Sequence, residues 1–219
     1  MAELEMQSLR AQLNPHFMFN SLNAIQELIL KEENDKSHTY LARFAKLLRM
    51  LLENADQPFV SLQKELEFLE LYLSLENLRI PDLQYSINAG SINKDELMIP
   101  NMILQPYIEN AIWHGLSPKE KDRRLEIRIH KNKNSLLFEI EDNGVGRKRS
   151  AELKSLFRKE HKSKGMELLS KRFNLLAGEY GASIKTKTSD VIKDGEVAGT
   201  LVEIDIPHSL SGHLKNNLS

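Results

Sequence analysis

Apolar residues recur at helical spacing through the first third of the chain, whereas later segments alternate apolar with polar positions. Leu9, Leu13, Leu22, Ile25 and Ile29 mark a long helix ending near Glu33-Asn34-Asp35. Tyr40, Leu41, Phe44, Leu47, Leu48 and Leu51 mark a second. Ser61 is a suitable N-cap for a third helix that carries Leu62, Leu66, Leu69 and Leu73. The other side of this helix carries Phe68, Leu71, Leu75 and Leu78, so it is apolar almost all round, as a helix sandwiched between neighbours must be. A lone hairpin of such helices exposes too much apolar surface, and pairing into a homodimeric bundle covers it.

The pattern changes after Ile80-Pro81-Asp82. A strand from Gln84 to Asn88 and a helix from Asn101 to His114 precede two alternating strands, Leu125-Glu126-Ile127-Arg128-Ile129 and Leu136-Leu137-Phe138-Glu139-Ile140. Helical segments follow from about Arg147 and about Gly165, and then strands at Ser183–Thr188 and Thr200–Ile206. Glycine placement draws the same boundary: all ten glycines lie at Gly90 or later, and only Pro15, Pro58 and Pro81 interrupt the stretch before it. The predicted class is α+β: a helical dimerisation module over 1–80, a mixed sheet with one helix layer over 81–208, and a polar tail over 209–219.

Composition removes several classes of function. The 219 residues carry 30 basic and 31 acidic side chains, a net charge of −1, which argues against a nucleic-acid partner held by bulk electrostatics. The absence of cysteine excludes disulfides, thiolate metal sites and cysteine nucleophiles. No apolar run approaches the roughly 20 residues of a membrane helix, and the N-terminus has no signal-peptide core.

Three clusters can carry chemistry. The first, Leu13-Asn14-Pro15-His16-Phe17-Met18-Phe19-Asn20-Ser21, puts a proline inside a helix at a cost of about 3 kcal/mol. His16 and Asn20 lie one turn apart on one face, where Asn20 can orient the imidazole; a buried or capping histidine beside a kink is the plainer reading. The second, Asp142-Asn143-Gly144-Val145-Gly146, places a carboxylate at a strand end before two glycines that let the backbone approach a ligand, although Asp-Asn-Gly is also an ordinary turn. The third runs from Gln105 to Gly115, with Asn110 and His114 on one helical face among apolar neighbours. An Asn oxygen suits Mg²⁺ shared with phosphates, while a helix end capped by Gly115 with His114 favoured by the dipole is the structural alternative.

In order and spacing the three clusters resemble the LytS-like sensor histidine kinases, whose catalytic domain belongs to the GHKL (Bergerat-fold) ATPases. The resemblance runs from about Leu9 to about Pro207. Leu9-Arg10-Ala11-Gln12-Leu13-Asn14-Pro15-His16-Phe17-Met18-Phe19-Asn20 is similar to the phosphoacceptor box of that family. Ser61-Leu62-Gln63-Lys64-Glu65-Leu66 through Tyr72-Leu73-Ser74-Leu75-Glu76-Asn77-Leu78-Arg79 is similar to its second helical signature. The Asn110 cluster resembles the N box, Asp142 to Gly146 the first glycine box, and Gly199-Thr200 the closing motif near the adenine-binding aspartate.

The resemblance implies that His16 is the phosphoacceptor, attacking the γ-phosphate of ATP as neutral imidazole, which an ordinary pKa of about 6.5 permits. It implies that Asn110 holds Mg²⁺, that His114 lies near the phosphates, and that Asp142 accepts the adenine amino group. Gly144 and Gly146 would shape the pocket floor, and Thr200 would lie beside Asp142. A response regulator then receives the phosphoryl group. A sensor region, expected upstream and membrane-bound, would make this a cytoplasmic fragment at the inner face of a bacterial membrane.

Departures from the family pattern sharpen the expectation. The usual Gly-x-Gly-x-Gly lid is represented by Ser163-Lys164-Gly165-Met166-Glu167-Leu168, a variant in which only the middle glycine remains, with Ser163, Lys162 and Lys164 as phosphate contacts. Phe17 stands where many histidine kinases have an acid, which leaves the general base unassigned. Pro106 stands where ATP-hydrolysing relatives place a carboxylate base, which favours transfer to a side chain over hydrolysis. The alternative is an ATP-binding interaction module with little or no kinase activity. A protein-serine kinase of the same fold leaves Asn14-Pro15-His16 unexplained.

Overall fold

The alternating segments assemble into one sheet with an apolar and a charged face. The computed structural model describes residues 15–54, 57–157, 164–181 and 183–212. In chain order the elements are α1 (Pro15–Leu30), α2 (Asn34–Asn54), β1 (Phe59–Ser61), α3 (Leu62–Arg79), β2 (Leu83–Asn88) and β3 (Met98–Pro100). There follow α4 (Gln105–Asn110, continued by a π-helical turn, Ala111–Leu116), β4 (Arg123–Lys131), β5 (Ser135–Asp142), α5 (Gly146–Phe157), α6 (Lys164–Tyr180), β6 (Lys185–Lys193), β7 (Glu196–Pro207) and α7 (His208–Gly212). Among the described residues, no helix is long and apolar enough to cross a membrane.

The five-stranded sheet has the order β2-β4-β5-β7-β6, with β2 and β4 parallel and the other pairs antiparallel. Leu125, Ile127 and Ile129 of β4 and Leu136, Phe138 and Ile140 of β5 are buried. Their alternate neighbours form a charged face, in which Arg128 reaches Glu126, Glu139 and Glu141. One buried face is what clean alternation demands. The fold is therefore α+β, with helices ahead of a mixed sheet, as expected.

Several boundaries differ for physical reasons. β1 and β3 form a three-residue antiparallel ribbon, too short to show a period. The helix expected from Asn101 starts at Gln105, because its entry is held as a loop: the Asn101 N–H donates to Pro58 O at 3.1 Å and its amide to Asn54 O at 2.7 Å. Strand β7 begins at Glu196, before the expected Thr200, because Asp194 and Gly195, with φ of 53° and 82°, make a tight hairpin turn. Strand β6 is a mostly exposed edge bearing Lys185, Lys187 and Lys193, with a bulge at Val191/Ile192, so it lacks the alternation that marks its neighbours.

A single core runs from Phe17 through the helices and the sheet to Leu210, crossing Ile80-Pro81-Asp82 without a break. Phe17 packs between α2 and α3, its ring 6.2 Å from that of Phe44 and 5.0 Å from that of Tyr72. Burying a phenylalanine contributes about 1.5–3 kcal/mol. Position 17 thus anchors the hairpin, which explains why no acid stands there. The third helix buries its leucines against its neighbours but is not apolar all round, since Glu67, Glu70, Asn77 and Leu78 reach solvent; Ser61 caps it, accepting from Lys64 N at 3.3 Å. The described part of α1 begins at Pro15, so the expected kink and the string Leu9 to Asn14 lie outside the described residues.

Candidate functional site

Asp142 ends β5 and is buried. Its Oδ1 accepts from the Gly144 N–H at 2.8 Å, and the backbone of Thr200, the paired residue of β7, also favours its charged form. Burial dominates these donors and pushes the carboxyl up to about 6, helped by the charge of Glu141 and opposed by distant Lys119. The group is poised to accept a ligand N–H.

Three glycines make room for it. A Cβ on Gly115 would lie 2.8 Å from Asp142 Oδ1, and one on Gly144 would lie 2.3 Å from the Gly115 carbonyl carbon. A Cβ on Gly199 would sit 1.8 Å from the Asp142 carbonyl oxygen. Gly115 is therefore a seat for Asp142, inside a widened turn in which Ser117 N–H reaches Ile112 O at 2.7 Å. It is not the cap of a helix end. Wide turns of this kind recur at functional sites.

Asp142 forms the floor of a cleft of about 280 Å³ that Asn110, His114, Gly146 and Thr200 also line. Five expected site residues thus come together, and Gly144 packs beneath them against Gly115. Tyr107, Arg147, Ser150 and Thr188 also line the cleft and were not anticipated. Arg147 had a legible signal, a cation directly after the second glycine; its Nη1 donates to Thr188 O at 3.3 Å. Among the described residues no trio of His, Asp or Glu gathers to hold a metal ion; the Asn110 amide is a hard oxygen donor of the kind Mg²⁺ accepts.

Other expected residues stand elsewhere. His16 lies in the first turn of α1 and Asn20 one turn later, half-buried; the side chain of His16 is outside the described part. No described lining residue of the cleft comes from α1. Ser163 falls outside the described residues, and Lys164, Gly165 and Met166 open α6, with the Lys164 and Met166 side chains also outside them.

Comparison with known proteins matches the chain to a family. A model described as "Histidine kinase" matches residues 4–84. A Sensor protein LytS from Oceanobacillus iheyensis is 35% identical over 184 residues, covering 81% of this chain and 31% of the relative. A Sensor protein LytS from Enterococcus faecalis is 30% identical over 210 residues, covering 94% of this chain and 34% of the relative. The chain thus spans about a third or less of the length of these relatives. Among solved structures, the histidine kinase domain of a blue-light activated histidine kinase from Erythrobacter litoralis aligns with a TM-score of 0.51 at 16% identity, covering 98% of this chain and 99% of that one. That likeness concerns the fold.

Proposed function

We propose, for a chain that belongs to the LytS-like histidine kinases, that it binds ATP in the cleft above Asp142, phosphorylates itself on His16 and passes the phosphoryl group to a response regulator. The observation that carries this reading is the meeting of Asn110, His114, Asp142 and Thr200 in one cleft from segments far apart in sequence. In this reading Asp142 would receive the adenine amino N–H, and the Asn110 amide oxygen would help to hold Mg²⁺. Bound Mg²⁺ supplies charge neutralisation, and the protein supplies position. The neutral His16 imidazole forms the new N–P bond to the γ-phosphorus, the bond from phosphorus to the β–γ bridging oxygen breaks, and ADP leaves.

The 1–80 segment serves as the dimerisation and phosphoacceptor module and 81–208 as the nucleotide module, with the 209–219 tail outside both. Phe19, Leu22, Ile29 and Leu30 of α1 are exposed, Leu30 at 76%, and a second copy would cover them. The remaining length of the LytS relatives, named as sensor proteins, would carry sensing and membrane anchoring, with this segment on the cytoplasmic side.

Incubation with γ-labelled ATP followed by acid tests the reading. Acid-labile label is expected on the wild-type chain and none on His16→Ala, with ATP affinity nearly unchanged, because His16 stands on a helix that supplies no described lining residue to the cleft. Acid-labile label on His16→Ala at the wild-type rate removes the phosphoacceptor assignment. A wild-type chain that binds ATP but takes up no label favours the interaction module.

A further inference from the structure

The second helical signature has no role in the transfer just described, yet it points its polar residues at the nucleotide site. Glu65, Tyr72, Glu76 and Arg79 are spaced by seven, four and three residues, so they share one side of the helix, whereas Lys64, Glu67, Glu70 and Asn77 are exposed. That stripe faces the segment bearing Asn110 and His114. At one end the buried Glu65 carboxylate accepts from the backbone of Met102 at 2.9 Å and of Leu104 at 3.3 Å, immediately before α4. This substitutes for a side-chain N-cap, which Leu104 cannot provide. Met102 has φ of 54°, so the carboxylate holds a backbone turn that an unbranched side chain seldom adopts unaided.

At the other end the Arg79 guanidinium binds buried Glu76 through Nε at 3.1 Å and through Nη2, and its Cζ lies 4.1 Å from the centre of the Trp113 ring. Trp113 directly precedes His114 in the widened turn. Tyr72 is wholly enclosed, and its hydroxyl is driven well above the ordinary phenol range, first by burial and then by the charges of Glu76 and Glu109. Two clamps, one before Gln105 and one at Trp113, therefore hold the segment on either side of Asn110.

We propose that Glu65, Tyr72, Glu76 and Arg79 form a positioning face through which helix α3 places Asn110 and His114 for nucleotide, with the Arg79–Trp113 stack as its distal clamp. The helical module then sets nucleotide affinity without touching nucleotide. This rests on the nucleotide reading of the cleft, and the test separates the two.

Trp113 is the single tryptophan of the chain, so its emission reports the clamp directly. MgATP is titrated into the full 219-residue chain and into Arg79→Gln, Arg79→Lys and Trp113→Phe, by calorimetry and, where Trp113 remains, by fluorescence. Arg79→Gln should shift the emission of the free protein and weaken MgATP about fivefold, the worth of a partly desolvated cation–π contact. Arg79→Lys, which keeps a cation, should recover most of that affinity, and Trp113→Phe, which keeps a ring, should lose less than Arg79→Gln. An Arg79→Gln protein that melts earlier but binds MgATP as tightly as wild type, well below its melting temperature, overturns the proposal and leaves the stack a packing contact. If Arg79→Gln does not fold, equal affinity in wild type, Arg79→Lys and Trp113→Phe overturns it likewise. Failure of the wild-type chain to bind MgATP overturns the nucleotide reading itself, and this proposal with it.

Discussion

Two buried carboxylates, Asp142 on the cleft floor and Glu76 on helix α3, stand in contrasting surroundings. Both are nearly inaccessible, and burial raises both above their ordinary pKa. Glu76 has a cation, Arg79, whose charge and hydrogen bonds oppose that rise. Asp142 has mainly backbone N–H donors, and its carboxyl reaches about 6. A carboxylate tied to a cation can serve as a fixed joint. One that lacks a close cation and lines a cleft is held ready for a ligand, and the folded protein bears that energetic cost until the ligand arrives.

The largest effect should come from Asp142→Asn. A carboxyl moved from 3.8 to about 6 costs the folded state about 3 kcal/mol once ionised. Between those values the folded state binds more protons than the unfolded one, so the stability contributed by this group falls as pH rises through the window, and the full cost applies above about 6. The amide variant should therefore gain up to about 3 kcal/mol in urea unfolding near pH 8 and little near pH 4. Its ATP affinity should drop about tenfold or more, since the amide reproduces neither charge nor acceptor pair. Variant and wild-type stabilities that run parallel with pH would show that Asp142 is not a strained group.

Gly144→Ala should come next. Its Cβ would collide with the Gly115 backbone at 2.3 Å, where nothing can swing aside, and the shift would pull the Gly144 N–H away from Asp142. A loss of about 2 kcal/mol is expected, within the usual range for overpacking, with weaker ATP binding alongside. Unaltered melting and affinity would mean that the corner yields more easily than its geometry implies. The smallest change should follow Glu76→Gln: burial outweighs Arg79 in raising this carboxyl, so removing the charge relieves that cost while loosening the Arg79 contact, and the two should cancel to within about 1 kcal/mol. A much larger loss would erase the contrast between the two sites.

The contrast also marks what could be read from the chain. Asp142 to Gly146 was legible because a strand ending in a carboxylate and two glycines is a local pattern. The role of Gly115 was not, since the carboxylate it makes room for lies in a different element, and its position just after His114 invited reading it as a helix cap. The polar stripe of α3 was hidden inside a helix whose leucines made it look uniformly apolar, although the seven-, four- and three-residue spacing of Glu65, Tyr72, Glu76 and Arg79 was there to find. Strands β1 and β3 left no trace because three residues cannot display a period, and their pairing depends on chain brought together over about forty positions.

The edge strand β6 has a consequence for how copies of this chain can meet. An unpaired strand edge invites another strand to add to it, and edge-to-edge growth of sheets is the usual beginning of aggregation. Here the edge carries Lys185, Lys187 and Lys193, and the bulge at Val191/Ile192 breaks the regular run of donors and acceptors. Two such edges approaching one another would set lysine against lysine along an interrupted ladder. At this side of the sheet the molecule is closed to its own kind.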